Sequence, residues 1–407
     1  MTTSIIILTH NLLPITQMCL TSIRLHTDNY ELIVVDNGST DGTAEYLQAQ
    51  SDVKLIRNER NLGFAKGCNQ GLEIASGDTV LFLNNDTIVT PHWLTRMLKV
   101  LEADERIGIV GPVSNFVSGH QRIPASYTNI QEMEAFAEAH ARHNANVCIE
   151  VRRVVGFCML VRRIVLEDIG HFDERYGLGN FEDDDLCLRA LGKGYRIFIA
   201  ADSFVHHFGH LTTQLLGSEV FGDLLHTNQV KAMEKWGADI IELLYKEVPT
   251  WTLVLPLGGA EVGKLKETAA CLRDIADETI IVYAEADTEM LSEAASFAAH
   301  AIPIGGEASE RWWAKVVEAA SGDYLLWLNP GERLSAEERR KLSGLKWSLT
   351  ERTDAAALRL RPEGEASGFV VRNRLVRKKA AFRWDPLACE FLVDAADRVK
   401  RSDVVLS

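Results

Sequence analysis

The chain writes one stretch twice. Residues 76–89 read SGDTVLFLNNDTIV and residues 321–334 read SGDYLLWLNPGERL, with S-G-D, two leucines and an asparagine in register. Self-similarity of this kind marks a duplicated supersecondary unit. Before the first copy come the β-branched run SIIILTHN, a helical pattern over 14–25 and the run YELIVVDNGSTDGT. A helix over 43–50, the short strand VKLIRN and a helix over 65–75 follow, and then the strand DTVLFLNND. Before the second come WTLVLPL, a helix over 263–275, ETIIVYAEAD, the short strand AHAIPI and a helix over 311–320, in the same order. Short apolar runs alternating with helical periods predict a mostly parallel sheet covered by helices on both faces. The expectation is an α/β chain of two domains, a larger one over 1–248 and a smaller, related one over 249–407, divided near Pro249.

The regularity loosens after a helix over 92–103. VVGFCMLVRR reads as a buried strand, FEDDDLCLR as an acidic helix start, and a further strand ends in a histidine cluster ahead of a helical stretch over 218–245.

Composition removes several classes of function. A length of 407 residues exceeds one ordinary core, and 46% apolar with 25% charged residues is the balance of a globular protein. A formal charge of −14 argues against a nucleic-acid partner, which selects for basic patches. No run approaches the ~18 apolar residues of a membrane span, and MTTSIIILTHN lacks the basic and apolar regions of a signal peptide. Seven cysteines with no C-x-x-C pair predict free thiols in a reducing, cytoplasmic setting, with at most peripheral membrane association.

In open α/β sheets ligands bind at the carboxyl ends of the strands, so the residues just after strands are the candidates. Asp36 ends the second strand, where a carboxylate can meet a base or a sugar, or simply shape the turn before Gly38. Asn84-Asn85-Asp86 ends the fourth, and Asp86 suits a hard divalent cation whose remaining ligands come from phosphates. Glu182–Asp185 crowds four carboxylates at a helix start; the helix dipole favours some of them, but mutual repulsion should perturb at least one into a general base. His206, His207 and His210 can ligate a metal or pair with phosphate. GGAEVGKL (258–265) approaches a phosphate-binding loop, but Leu265 stands where that loop needs a hydroxyl for Mg²⁺, so a nucleotide hydrolase acting through Lys264 is disfavoured. RNRLVRKKAAFR (372–383) reads as a solvated or intersubunit basic face.

SIIILTHN, ELIVVDNGSTDGT, NLGFAKGCNQGL, SGDTVLFLNND, GFCMLVRR, GHFDERY, FEDDDLCLR and VHHFGH run in the order found in glycosyltransferase family 2, which the first half of the chain resembles. The resemblance implies a GT-A fold and transfer of a sugar from a nucleotide-diphospho-sugar, UDP- or dTDP-linked, to a hydroxyl on a glycan, a lipid-linked glycan or a protein. It implies that Thr9, Asn11 and Asp36 hold the base and ribose, and that Lys66 and Asn69 line the diphosphate side. Asn84, Asn85 and Asp86 fall at the D-x-D motif that carries Mn²⁺ or Mg²⁺, with Asn84 replacing its first acid. Glu182-Asp183 matches the acidic pair, with Asp183 as the base of an inverting displacement, and His206 lies near the leaving diphosphate and the metal. The LNND ending looks like those of rhamnosyl-type relatives. The second half looks like a degenerate GT-A copy: Tyr283 stands at the place of Asp36, Ala314 at that of Asn69, and Asn-Pro-Gly at that of Asn-Asn-Asp. Acceptor binding or homodimerisation is the expected role of that copy, with Glu332 as the one acid that can replace the missing one. An inactive nucleotide-sugar-binding scaffold is the alternative reading.

Overall fold

A computed structural model of the protein describes residues 2–209, 218–257, 262–285, 288–349, 352–361, 369–394 and 396–406. The chain divides into two compact units, 1–191 with 195–246 and 192–194 with 247–407.

The N-terminal unit is built on β1 (Thr3–Thr9), β2 (Tyr30–Asp36), β3 (Val53–Arg57) and β4 (Thr79–Asn84), all parallel. β5 (Thr87–Val89), β6 (Ile107–Val113), β7 (Cys148–Val151), β8 (Cys158–Arg162) and β9 (Arg196–His207) extend it to the order β3-β2-β1-β4-β8-β6-β9-β5, with β7 also on β9. β8 runs antiparallel to both β4 and β6. Both faces are covered, as continuous apolar strands require. Ile5, Ile7, Leu32, Val34, Leu81 and Leu83 pack with Leu20 and Ile23 of the helix Leu13–His26 and with Trp93 and Met97 of the helix Trp93–Glu102. On the opposite face lies the helix Phe64–Glu73. Cβ atoms at Gly67 and Gly71 would stand 2.2 Å from Leu8 and 2.5 Å from Ile6, so these glycines let the helix press against β1.

The loosened stretch resolves into β6 to β9 and a helix Ile130–His143 capped by the Asn129 side chain. The helical stretch over 218–245 is two helices, Ser218–Trp236 and Ile240–Tyr245, broken at Gly237 (φ 71°) and restarted by Asp239, which accepts from the amides of Ile241 and Glu242. Among the described residues no helix is long and apolar enough to cross a membrane.

The C-terminal unit repeats the plan. β10 (Trp251–Leu257), β11 (Glu278–Tyr283), β12 (His300–Pro303) and β13 (Tyr324–Trp327) pair in parallel in the order β12-β11-β10-β13. β14 (Ala355–Leu360), β15 (Val370–Arg377) and β18 (Val399–Leu406) complete that sheet, and β16 (Arg383–Asp385) with β17 (Glu390–Leu392) form a separate hairpin.

Duplication extends to individual hydrogen bonds. In the first unit Ser4 Oγ donates to Glu31, the Ser76 amide donates to Glu31 Oε1 (2.5 Å) and the Gly77 amide to Ser4 Oγ (2.8 Å). In the second, Thr252 Oγ1 donates to Glu278 Oε2 (2.7 Å), the Ser321 amide to the same oxygen (2.9 Å) and the Gly322 amide to Thr252 Oγ1 (3.1 Å). The carboxylates of Asp78 and Asp323 accept from the amides of Thr2 and Thr250, each at 3.0 Å.

Two readings of the sequence change. The basic run 372–383 is solvated only in part: β15 lies antiparallel to β13 as β8 does to β4, with Leu375 and Val376 fully buried and Arg374 2% exposed, while Lys379 and Arg383 are exposed. LVRK (375–378) is thus the counterpart of LVRR (160–163), and the Lys378 and Arg163 amides donate to the carbonyls of Asp323 and Asp78. Of the loop-like stretch 258–265, residues 258–261 lie outside the described residues; Val262–Cys271 is a helix in which Leu265 is fully buried core and Lys264 is exposed.

Candidate active site

A cavity of about 760 Å³ opens at the carboxyl ends of β1 and β4 in the N-terminal unit. Sequence-predicted Thr9, Asn84, Asn85, Asp86, Glu182 and Asp183 all line it, joined by His10, Asn37, Arg153 and His207.

One end is a hydroxyl and amide network. Asn85 Nδ2 donates to Thr9 Oγ1 (3.2 Å) and Thr16 Oγ1 (3.0 Å), which are themselves 3.0 Å apart. Behind it Asp36 is fully buried: its Oδ1 accepts the Ser39 amide at 3.2 Å, and its Oδ2 has no partner. A buried acceptor without a donor is rare and calls for a ligand or a water.

At the middle, His207 Nε2 stands 3.1 Å from Asp86 Oδ1, while His207 Nδ1 bonds the Phe116 carbonyl at 2.7 Å. A carbonyl only accepts, so Nδ1 carries the hydrogen, and the Nε2 lone pair of a neutral ring faces a carboxylate oxygen. Two acceptors this close require a proton or a cation between them. An outer carbonyl that fixes the tautomer is also how metal-ligating histidines are held.

The third part is the start of the helix Glu182–Gly192. Asp183 Oδ2 accepts the Gly156 amide (2.8 Å) and its Oδ1 the Asp184 amide (2.9 Å). Burial and the adjacent Asp183 push the Glu182 carboxyl well above the usual range, and its Oε2 is buried without a partner. Burial and Asp183 also lift Asp184 to about 7, against the opposing pull of the Arg153 guanidinium with which it is paired. Asp185 is the structural member of the four: fully buried, it meets Arg189 (2.8 Å), Lys235 (2.6 Å) and Trp236 Nε1 (2.9 Å). Two raised carboxyls, Glu182 and Asp184, thus flank the acidic motif's cavity face, and perturbed acids of this kind cluster at functional sites. Just before them Asn180 and Phe181 both take φ of 75°, a left-handed backbone that is costly for Phe.

The structure leaves five predicted residues off the cavity lining. Asn69 spends both ends of its amide on the 172–174 segment, with Nδ2 to the Phe172 carbonyl (2.9 Å) and Glu174 Oε1 (3.1 Å) and Oδ1 from the Phe172 amide (3.1 Å). Lys66 is exposed, because Gly67 and Gly71 turn the other side of that helix to the sheet. Asn11, at φ 58°, ties two loops together: its Oδ1 accepts the Thr40 amide at 2.8 Å and its own amide donates to Ser39 Oγ at 2.7 Å. Asp36 sits behind the lining, as described. His206 faces away from Asp86 into a second cavity and meets Tyr127 OH at 2.5 Å; burial, then His207, holds its pKa down at about 4. His210 lies outside the described residues. Adjacent strand residues point to opposite faces, so only one of His206 and His207 could reach Asp86, and the pairing of β5 with β9 selects His207. Among the described residues no three His, Cys, Asp or Glu side chains are gathered to hold a metal; Asp86 and His207 are a facing pair in this cavity.

Residues 4–170 match the family model described as glycosyl transferase family 2. The chain is 28% identical over 223 residues to a glycosyltransferase, AglE, of Haloferax volcanii, covering 51% of this chain and 68% of that protein. It is 27% identical over 227 residues to an N-acetylglucosaminyl-diphospho-decaprenol L-rhamnosyltransferase of Mycobacterium tuberculosis, covering 47% and 72%. It spans only 23% of a similar uncharacterized protein, y4gI, of Sinorhizobium fredii, at 27% identity over 217 residues and 47% of this chain. Among solved structures, GalNAc-T7 with UDP, GalNAc and Mn²⁺ aligns at TM-score 0.46 and 18% identity, covering 60% of this chain and 50% of that one. A mannosyltransferase of Pyrobaculum calidifontis in complex with GDP-Man and Mn²⁺ aligns at TM-score 0.39 and 20% identity, covering 56% and 68%. The motifs, the sheet order and the family match agree: the N-terminal unit carries a glycosyl transferase family 2 domain.

Proposed function

We propose that the N-terminal unit moves a sugar from a nucleotide-diphospho-sugar to an acceptor hydroxyl with inversion, and that Asp183 is the base. One observation carries the reading: Asp183, the Asp86–His207 pair and the Thr9–Asn85 network open onto a single cavity. Asp183 accepts the acceptor's hydroxyl proton while that oxygen bonds to the anomeric carbon. The bond from that carbon to the diphosphate oxygen breaks, and the diphosphate leaves with the electron pair. Thr9, Asn84 and Asn85 line the nucleotide end, and the unpartnered Oδ2 of Asp36 suits an N–H donor of the base. Mn²⁺ or Mg²⁺, bound by Asp86 and His207, would supply charge to a leaving diphosphate that completes its oxygen ligands. UDP or dTDP is the expected carrier, and a glycan, lipid-linked glycan or protein the acceptor. The C-terminal unit is read as a non-catalytic copy for acceptor binding or dimerisation.

Thermal shift of the full chain with UDP and dTDP, with and without Mn²⁺, tests the donor site. Asp183→Asn is expected to keep the nucleotide-induced shift and lose about 10²–10⁴-fold in donor turnover. Asp86→Ala is expected to lose the metal-dependent part of the shift. Wild-type behaviour in both variants would overturn these assignments.

A further inference from the structure

The cavity has a second character that the acidic motif does not explain. Beside its amides and carboxylates the lining includes Leu178, Phe181, Phe221, Leu225 and Ile241, side chains with no hydrogen-bonding group that come from the 178–181 loop and the two helices after β9. This wall is fixed in place. On the helix Ser218–Trp236, residues 221, 225, 228 and 232 share one face at i, i+4, i+7 and i+11. Asn228 on that face is fully buried and donates through Nδ2 to the carbonyls of Tyr176 (2.6 Å) and Gly179 (2.7 Å), flanking Leu178. Ala232 is fully buried on the next turn, and Lys235 pairs with Asp173 (2.7 Å) and Asp185 (2.6 Å). The helix is therefore pinned both to the loop that leads into the acids and to the acidic helix itself.

Yet part of this wall is not core. Leu178 is 45% exposed and Ile241 38%, and Tyr245, one turn beyond Ile241, is 47% exposed. Apolar side chains held rigidly at a cavity mouth and left open to water mark a binding surface. A polar oligosaccharide laid on them would lose water from its hydroxyls and gain no partners. An aliphatic chain would lose nothing and bury apolar area.

We propose that the acceptor is an amphiphile, with its reactive hydroxyl on a polar headgroup at Asp183 and an aliphatic chain beside it on the Leu178–Phe221–Leu225–Ile241 wall. This rests on the reading of Asp183 as the base, but the wall is testable without turnover. The probes are n-alkyl β-D-glucosides with methyl, hexyl and octyl chains, below their micelle concentrations, titrated calorimetrically into the full chain without donor. Octyl is expected to bind at least about tenfold more tightly than methyl. Leu225→Glu and, separately, the more exposed Ile241→Glu are expected to abolish most of that chain-length dependence while keeping the UDP·Mn²⁺ thermal shift. Equal binding of all three glucosides, or a dependence undiminished in both variants, overturns the proposal. Chain-length dependence in a protein that gives no shift with any nucleotide upholds the apolar wall and overturns the donor-site reading instead.

Discussion

At the amino ends of β1 and β10 the two units are nearly interchangeable, and at the carboxyl ends of β4 and β13 they are not. Ser4–Glu31–Ser76–Gly77 and Thr252–Glu278–Ser321–Gly322 make the same hydrogen bonds. One edge then carries Asn84-Asn85-Asp86 facing His207, whereas the other carries Asn329-Pro330-Gly331-Glu332. Glu332 does not restore the missing acid. Its carboxylate accepts from the amide (2.8 Å) and side chain (3.1 Å) of Asn329 and from Arg374 Nη2 (2.8 Å). A guanidinium on β15 thus occupies the acid that a cation would need. The S-G-D end makes the same sheet-closing bonds in both units, and the units differ at the opposite end of the same strand.

The largest expected effect tests the shared end. A Cβ at Gly77 would lie 2.6 Å from the Thr2 carbonyl oxygen, and one at Gly322 2.7 Å from the Thr252 amide nitrogen. Gly77→Ala and Gly322→Ala should therefore each destabilise their own unit by about 3 kcal/mol or more, measured by denaturant melts. A mild effect in only one would break the equivalence.

The divergent end gives a smaller and asymmetric effect. Arg374 is 2% exposed, and among the described residues its Nε and Nη1 have no partner and Glu332 is the acid paired with it. Glu332→Ala should cost about 3 kcal/mol by leaving that charge buried, while Arg374→Met, which also removes the two orphan donors, should cost less than about 1 kcal/mol. Donor turnover should be unchanged in both. The reverse order of stabilities would mean that the pair does not act as described.

The smallest effect is one of pH. Glu182 has its carboxyl pKa raised from the ordinary 4.5 by burial first and Asp183 second. A raised acid binds its proton more tightly in the folded state, so its stability cost is absent below about pH 4.5 and grows as pH rises toward the folded value. Glu182→Gln should accordingly melt close to wild type near pH 4 and progressively above it toward neutral pH. A difference that is flat with pH would show that Glu182 is ionised in the fold. Glu31, at the other end of the same sheet, is the contrast: burial opposes its charge, but bonds from Lys54, Ser4 and Ser76 outweigh it and hold its pKa near 2.

Much of this was legible in the chain because it is periodic or local. The parallel strands and the helices between them follow from runs of apolar residues, and the duplicated S-G-D with L-N exposed the second sheet. Asp86, Glu182 and Asp183, which line the cavity, stand out in the sequence because they lie where strands or helices begin or end. LVRR and LVRK escaped notice as a pair, since four residues carry little signal until β8 and β15 are seen against β4 and β13.

Sequence by itself determined which residues are apolar at period two and which carboxylates cluster, because both are properties of neighbours along the chain. Tertiary structure alone decided that His207 rather than His206 meets Asp86, since only the register of β5 on β9 fixes which side of the strand faces the cavity. It decided that Asn69 clamps residues 172–174 and does not line the cavity. It also decided that Asn228, distant in the chain from the acids, holds an apolar wall beside them. In each case the partner lies far away in sequence, and a side chain's role is set by the groups that packing brings within hydrogen-bond reach.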